Sequence, residues 1–145
     1  MLWLCMMDQE QRDGSHYRKA TDWAEVEQVI DSMNNTTITN VWFGITDEGV
    51  EVRRADDLWE WFDVTGGNDG RFIVYFFANE TIEVILLDPS QTEMTTVYHG
   101  PLKETWDWDW VGPESYVGTT LLKRVLKHYF EHHERLEEGI IWEEV

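Results

Sequence analysis

The sequence predicts an α+β fold: an antiparallel sheet meander with an N-terminal and a C-terminal helix packed on one of its faces. Two observations favour this fold class. Apolar runs at Phe72–Phe77 and Ile82–Leu87 flank a short polar turn and predict a buried central hairpin. An apolar stripe at spacings of three and four then predicts an amphipathic helix, which needs a sheet to lie on. The stripe consists of Leu122, Val125, Leu126, Tyr129 and Phe130.

The N-terminal part of the chain predicts a strand, a loop and a helix. The apolar stretch Met1–Met7 is typical of an edge strand, and the polar residues Asp8–Lys19 indicate a loop. Thr21 is expected to cap the helix, which ends at Asn34 and Asn35. One face of this helix is apolar and comprises Trp23, Val26, Val29, Ile30 and Met33.

The middle of the chain predicts further strands around turns. Thr37–Thr46 is rich in β-branched and aromatic residues and indicates a strand. A turn at Asp47–Gly49 predicts a hairpin with Val50–Arg54. Asp56–Val64 leaves two interpretations open, one helical turn or an irregular strand. The remaining expectations are a turn at Thr65–Gly70, a strand at Met94–His99 and a loop at Gly100–Pro113.

The last segment predicts the start of the second helix and a short element after its end. Thr119 or Thr120 is expected to supply the N-cap, because a hydroxyl oxygen accepts from a free amide of the first turn. Gly139 interrupts the helical pattern. Ile140–Trp142 then indicates a short strand or an extended tail on the core.

Length and composition indicate one folded domain over residues 1–145, in which residues 1–19 form an edge strand and a loop. The hydrophobic share of 42% and nine tryptophans argue against disorder. With 29 acidic and 11 basic residues the net charge is −18, which repels nucleic-acid phosphates and suits a basic protein partner. The alternative is that the acidity only maintains solubility.

Cysteine usage and hydropathy predict a reduced, cytoplasmic setting. The single cysteine, Cys5, excludes an internal disulfide and a zinc site built from thiolates. The first residues lack the leading positive charge of a signal peptide, and no apolar run is long enough for a membrane helix. We expect no cofactor, no membrane contact and a monomer or weak dimer.

Alternating tryptophans and aspartates form the most unusual motif in the chain. If Trp106–Trp110 is extended, its indoles lie on one side and its carboxylates on the other. Indoles supply large contact areas at interfaces, and carboxylates pair with a partner's Arg or Lys. We therefore predict that a partner binds Trp106, Asp107, Trp108, Asp109 and Trp110. The alternative is that the indoles cover the core and the aspartates are solvated.

A second cluster with the same chemistry precedes the central hairpin. It contains Trp59, Trp61 and Asp63, together with the predicted partner-binding residues Asp56, Asp57 and Glu60. The alternative for this cluster is a core helix or strand with a solvated face.

Catalytic and metal-binding motifs are weak in this sequence. His128 and His132 stand four apart on the predicted helix, with His133 adjacent, and such a pair is able to share a metal. The order His-Glu-x-x-His is absent, however, and a solvated polar face explains the histidines better. No nucleophile elbow or phosphate-binding glycine loop is present. We predict no catalytic, cofactor-binding or metal-binding residues and no enzymatic activity.

The C-terminal helix ends in the paired aromatics Tyr129 and Phe130, and Trp142 follows after a short polar turn. In this pattern the segment resembles the Imm-one family of polymorphic-toxin immunity proteins. In that family a helix ends in a paired aromatic and is followed, about a dozen residues later, by a tryptophan. The matching residues here are Tyr129, Phe130 and Trp142. The intervening turn reads Glu134-Arg135-Leu136-Glu137, where members often carry Gly-x-x-Pro or Arg-Pro.

The resemblance implies a small α+β immunity protein that binds the C-terminal toxin domain of a bacterial effector and blocks its active site. Family members guard against nucleic-acid deaminases or nucleases. An acidic surface would suit the basic substrate groove of such a toxin. The first alternative is a phage-type DNA mimic that inhibits DNA-binding enzymes. The second is a small metal-dependent enzyme.

Overall fold

The computed structural model describes residues 2–8, 16–35, 38–53, 57–78, 82–95, 97–98 and 112–145. Strands and helices within these ranges form two layers. The strands are β1 (Leu2–Asp8), β2 (His16–Lys19), β3 (Ile38–Ile45), β4 (Glu60–Gly66), β5 (Arg71–Ala78), β6 (Ile82–Leu87), β7 (Val117–Gly118) and β8 (Ile141–Glu144). The helices are α1 (Trp23–Ser32) and α2 (Thr119–His132).

The described strands make one antiparallel sheet in the order β2-β1-β3-β4-β5-β6-β8. The short β7 pairs with the beginning of β5, where Arg71 lies opposite Gly118. Opposed residues of neighbouring strands, such as Phe62 and Phe76, place their side chains on the same face. The register therefore sorts every side chain of β3 to β6 onto one of two faces.

One face of the sheet packs against both helices and holds the main core. Val41, Phe43, Phe62, Val64 and Val74 are wholly buried here, together with Leu122 and Val125 of α2. The predicted packing of two helices on one sheet face is confirmed. At the junction of the helices, the rings of Trp23 and Phe130 lie 6.2 Å apart.

An ion pair also links the two helices. Lys123 of α2 places its Nζ 2.7 Å from Asp31 and 3.5 Å from Glu27, both on α1. The hydrogen bond with Asp31 raises the pKa of Lys123. The ion pair therefore connects the solvent-facing sides of α1 and α2.

The N-terminal prediction was partly wrong. Met1–Met7 was expected to form an edge strand, and β1 is indeed a strand, but it lies between β2 and β3. The actual edge strand is β2, which occupies the end of the stretch predicted as a loop. Its four residues are too short and polar for periodicity to reveal them.

The hairpin predicted between Thr37–Thr46 and Val50–Arg54 was also wrong. The turn exists, since Val50 N donates to Asp47 O at 3.2 Å, but residues 51–53 are not a strand. The partner of β3 is β4, a regular strand in the segment for which the sequence allowed two interpretations. The described residues of Met94–His99 likewise form no strand. Of the predicted loop Gly100–Pro113, only 112 and 113 lie within the described residues.

The central hairpin of β5 and β6 is confirmed, but both predicted helix caps were wrong. Asp22 caps α1, because its Oδ1 accepts from the Glu25 amide at 2.9 Å, and Thr21 lies outside the cap. The N-cap of α2 is Gly118, without a side-chain hydrogen bond, because β7 runs directly into the helix. The apolar stripe of α2 is buried as predicted, with Phe130 partly exposed.

The segment after α2 returns to the sheet as a strand, which is one of the two predicted forms. Trp142 in β8 lies opposite Leu86 of β6, and its Nε1 donates to Leu136 O at 2.9 Å. The Arg135 guanidinium lies 5.1 Å from the Trp142 ring and 5.3 Å from the Phe76 ring. These contacts seal one end of the core by cation–π attraction.

Neither helix within the described ranges combines the length and the apolar composition that crossing a lipid bilayer requires.

The turn between β4 and β5 is tied to the end of α1 through Gly67. This residue has φ +103°, and an added Cβ would clash with the backbone carbonyl of Met33. Gly49 also has a positive φ, +86°, but an added Cβ there meets nothing within 4 Å. We expect Gly67→Ala to lower the free energy of unfolding by about 3 kcal/mol, and Gly49→Ala by about 1 kcal/mol.

Urea unfolding of the two variants checks this expectation. Gly49→Ala carries only the backbone strain, so the difference between the variants measures the contact with Met33. Equal losses in both variants would show that the turn and α1 do not touch closely.

Candidate protein-interaction surface

The sheet face opposite the helices is only partly covered by the described residues. Val97 and Tyr116 pack over Ile73, Tyr75 and Ile85 and form a small second core. Buried Asn35 holds the segment of Val97 in place, since it donates to Tyr98 O and accepts from Tyr98 N, each at 2.7 Å. The cover therefore lies over one part of the face and leaves another part less protected.

The less protected part carries aromatic and acidic side chains of β4, β5 and β6. We call it the acidic-aromatic face. It consists of half-buried Trp61 and Phe77 and exposed Glu83, with buried Asp63 and Tyr75 beside them at the border of the second core. The rings of Trp61 and Phe77 are stacked, with centroids 5.2 Å apart and planes at 18°. Both side chains are half-buried, and Trp59, two residues earlier, is 55% exposed. The stack offers a flat platform at the start of β4.

Two carboxylates lie beside this platform and repel each other. Asp63 is 9% exposed and accepts from the Thr65 hydroxyl at 3.2 Å. The Glu83 side chain is exposed, yet partial burial raises its pKa and the charge of Asp63 raises it further. Burial also raises the pKa of Tyr75, and the negative charges of Glu83 and Asp63 raise it further. Both shifts come first from burial and then from neighbouring negative charge, so they show that the charged forms of Glu83 and Tyr75 are disfavoured on this face.

Glu83 has no cationic partner in the part of the chain that the structure describes, since its carboxylate makes no salt bridge with a lysine or arginine there. A guanidinium or ammonium group from another molecule would relieve the repulsion and would also find an aromatic ring to lie on. The face is thus suited to receiving an Arg or Lys side chain.

Most of the partner-binding residues predicted from sequence lie outside the described residues. These are Asp56, Trp106, Asp107, Trp108, Asp109 and Trp110, and their role stays a prediction. Asp57 is described, and its Oδ2 accepts from the Arg53 amide at 2.9 Å while its carbonyl accepts from Thr46 at 2.8 Å. Asp57 therefore closes the loop between β3 and β4.

Glu60 is separated from Trp61 and Asp63 by the alternation of β4. It lies opposite Ile45 and Ala78, on the side of the sheet that faces the helices. Burial raises its pKa, and interactions with Tyr129 and Arg135 offset part of this rise. The pKa of the buried Tyr129 hydroxyl is raised by burial and by Glu60. The structure thus divides the predicted cluster between two faces.

Tyr75, Phe77 and Glu83 were not predicted from the sequence as members of this surface. A signal was present, because Glu83 is the only charged residue in the otherwise apolar Ile82–Leu87. A single charge in such a run indicates which face of the strand meets water. Phe77 lies directly opposite Glu83 in the hairpin and is therefore on the same face.

The histidines on α2 contact each other but do not assemble a metal site. The rings of His128 and His132 lie 4.6 Å apart, and His128 Nε2 is 3.5 Å from Glu134. In the described part of the chain, no group of three His, Cys, Asp or Glu side chains is placed to hold a metal. Whether the protein has enzymatic activity stays a matter of prediction.

The raised pKa of Glu60 yields a prediction about stability. Because its folded pKa exceeds the ordinary value of 4.5, the folded state binds this proton more tightly than the unfolded state. Stability is therefore lost as pH rises from the ordinary pKa through the folded one. We expect Glu60→Gln to raise the melting temperature at about pH 7 by a few degrees, and to have no such effect below about pH 4.

Thermal unfolding followed by circular dichroism across this pH range checks the expectation. Glu138→Gln, which neutralises an exposed carboxylate in the turn before β8, serves as the matched control. A gain from Glu60→Gln that persists unchanged at acid pH would contradict the assigned cause.

Comparison with known proteins adds no family assignment. Neither a family model nor a curated protein matches this chain. The three residues that carry the resemblance to the Imm-one family are all packing residues, with Tyr129 against Phe62, Phe130 against Trp23 and Trp142 against Arg135. The relation to that family stays a prediction.

Proposed function

We propose that this protein is a non-catalytic antitoxin, an immunity protein that binds and neutralises a basic toxin domain in the cytoplasm. The observation that carries the proposal is the acidic-aromatic face, where Asp63 and Glu83 raise the local negative charge beside the Trp61–Phe77 stack. The C-terminal resemblance supports the same class of function. The net charge of −18 supports a partner of opposite charge.

The physical mechanism is occupation of a basic groove. Enzymes that act on nucleic acids attract phosphates with Arg and Lys, and a surface that offers carboxylates competes for those groups. In this proposal a toxin arginine stacks on Trp61 and pairs with Glu83, while Phe77 keeps water away from the contact. Complementary charge also speeds association, which matters when a toxin must be captured before it acts.

The target class is set by the same chemistry. A toxin with a groove basic enough to pair with this face is one that handles nucleic acid, such as a deaminase or a nuclease. The predicted residues Trp106–Trp110 would extend the contact with further indoles and carboxylates. They form a separate part of the proposal, which Asp107→Lys or Trp108→Ala tests independently.

The binding test is a pull-down from the native bacterial lysate, or with a toxin domain encoded by a neighbouring gene. Calorimetric titration of the captured partner follows. We expect one stoichiometric partner. Glu83→Lys should weaken binding by about 30-fold, because it places two cations together, and Trp61→Ala by a similar factor through loss of the stacked contact. The affinity should also fall with added salt.

Glu138→Lys is the control, since it makes the same charge change at an exposed position away from the acidic-aromatic face. Equal weakening by Glu138→Lys and Glu83→Lys would show that only overall charge matters. Equal binding to several unrelated DNA-binding enzymes would favour the DNA mimic instead. Melting temperatures of all variants must match the wild type for the comparison to count.

The raised pKa of Glu83 makes the proposed binding depend on pH. In the complex a toxin cation would lower this pKa again, so binding releases a proton when Glu83 is protonated in the free protein. We expect the affinity to increase as pH rises from about 4.5 through the raised pKa of Glu83 and then to level off. Titrations at about pH 5 in buffers of different ionisation heat should show this proton release, and Glu83→Gln should abolish it.

A further inference from the structure

The strand β8 forms one end of the sheet, and its outer side has no described strand beyond it. Val145 N donates to Glu83 O at 3.1 Å, so residues 145, 143 and 141 direct their backbone groups toward β6. The alternation of an antiparallel ladder then directs the N–H and C=O of Trp142 and Glu144 outward. Two donors and two acceptors of the main chain thus have no partner strand within the described ranges.

The side chains described around this edge are mainly acidic. Glu143 and Glu144 are exposed, and with Glu114 they line a cavity of about 220 Å³ next to β6 and β8. Among the described residues none of these three carboxylates forms a salt bridge with Lys or Arg. Ile141 is 48% exposed and adds an apolar contact. The edge therefore combines open backbone groups with uncompensated negative charge.

The negative charge at this edge favours some pairing strands over others. Like charges directly opposite each other in neighbouring strands are destabilising, so two copies of β8 repel one another. The other outer strand, β2, exposes Arg18 and Lys19 and is complementary in charge. A second copy of the chain nevertheless brings its whole net charge of −18 to the contact. A basic segment of a different protein satisfies the edge without this repulsion.

The edge is also continuous with the acidic-aromatic face. Glu143 lies opposite Ile85, which in turn lies opposite Tyr75. Val145 is hydrogen-bonded to Glu83, which belongs to that face. A partner that covers Glu83 is therefore adjacent to β8.

We propose that β8 accepts an extended, basic segment of the partner protein as an additional strand of the sheet. This proposal rests on the proposed function and names the contact that would anchor the toxin. The segment pairs its backbone with Trp142 and Glu144, and its Lys or Arg side chains lie beside Glu143 and Glu114 on one face and Glu144 on the other. Its specificity is for a strand-forming sequence with alternating basic and apolar residues.

The first test measures binding of a fluorescein-labelled peptide of alternating Lys and Val residues by fluorescence anisotropy. Glu144→Pro removes the outward N–H of residue 144 without removing a ladder bond to β6, and Glu144→Gln removes the same charge but keeps the N–H. We expect Glu144→Gln to weaken peptide binding by a few-fold and Glu144→Pro by about tenfold or more. Equal binding by both variants would overturn the proposal, because only charge would then matter.

A second measurement does not depend on the folding of a variant. The same peptide, N-methylated at every residue, keeps its charge but has no N–H left to donate to a ladder. With the unmodified peptide, hydrogen exchange at the Trp142 and Glu144 amides of the wild-type protein should slow, whereas the methylated peptide should leave it unchanged. Slowing by both peptides, or by neither, would contradict strand addition.

Further outcomes distinguish strand addition at β8 from the proposed antitoxin function and from self-association of the chain. If Glu144→Pro binds the toxin domain as tightly as the wild type, strand addition is wrong while the antitoxin function stands. If the peptide result holds but no basic partner is found, the edge is real and the proposed function fails. A molecular mass in solution that increases with protein concentration, and no longer does so in Arg18→Glu, would identify a second copy of the chain as the occupant instead.

Discussion

The burial of the middle of β4 and β5 on both faces is the constraint on which the rest of the structure depends. The ring centroid of Phe62 lies 4.7 Å from that of Phe76 and 4.8 Å from that of Tyr129. The central strands and α2 therefore meet at the Phe62 ring. A shift of one residue in the register would turn these rings away from the helices. The same packing therefore holds Trp61 and Asp63 on the opposite face, where function is proposed.

Among the residues whose burial is described, Asp63 is the one charged residue that is buried, and the others are partly or fully exposed. Lys123 is used to join the helices and Arg135 to close the end of the core, which removes two of the few cations from the surface. Among the described residues outside these pairs, the carboxylates of Glu83, Glu143 and Glu144 remain uncompensated. A protein with this arrangement keeps a stable interior while its outer sheet regions favour contact with a basic surface.

Periodicity predicted those elements in which one pattern dominates. The stripe of α2 and the apolar runs of β5 and β6 were predicted correctly because one pattern dominates each of them, with Glu83 as the single charged residue in β6. The strand β4 was ambiguous because Glu60 and Asp63 interrupt its apolar residues on different faces. Thr21 and Asp22 are adjacent residues that both cap well, so sequence alone could not choose between them. The acidic-aromatic face needed the register between strands, which no local pattern contains.

The pairing of β6 with β8 joins two strands that are separated by the whole stretch from Asp88 to Ile140. Ladders between distant segments close late, because more chain entropy must be lost before the contacts form. During folding, the apolar β6 therefore spends time with its outer edge unpaired. An open apolar edge recruits strands from other chains, so the yield of refolding should be sensitive to protein concentration until β8 has docked.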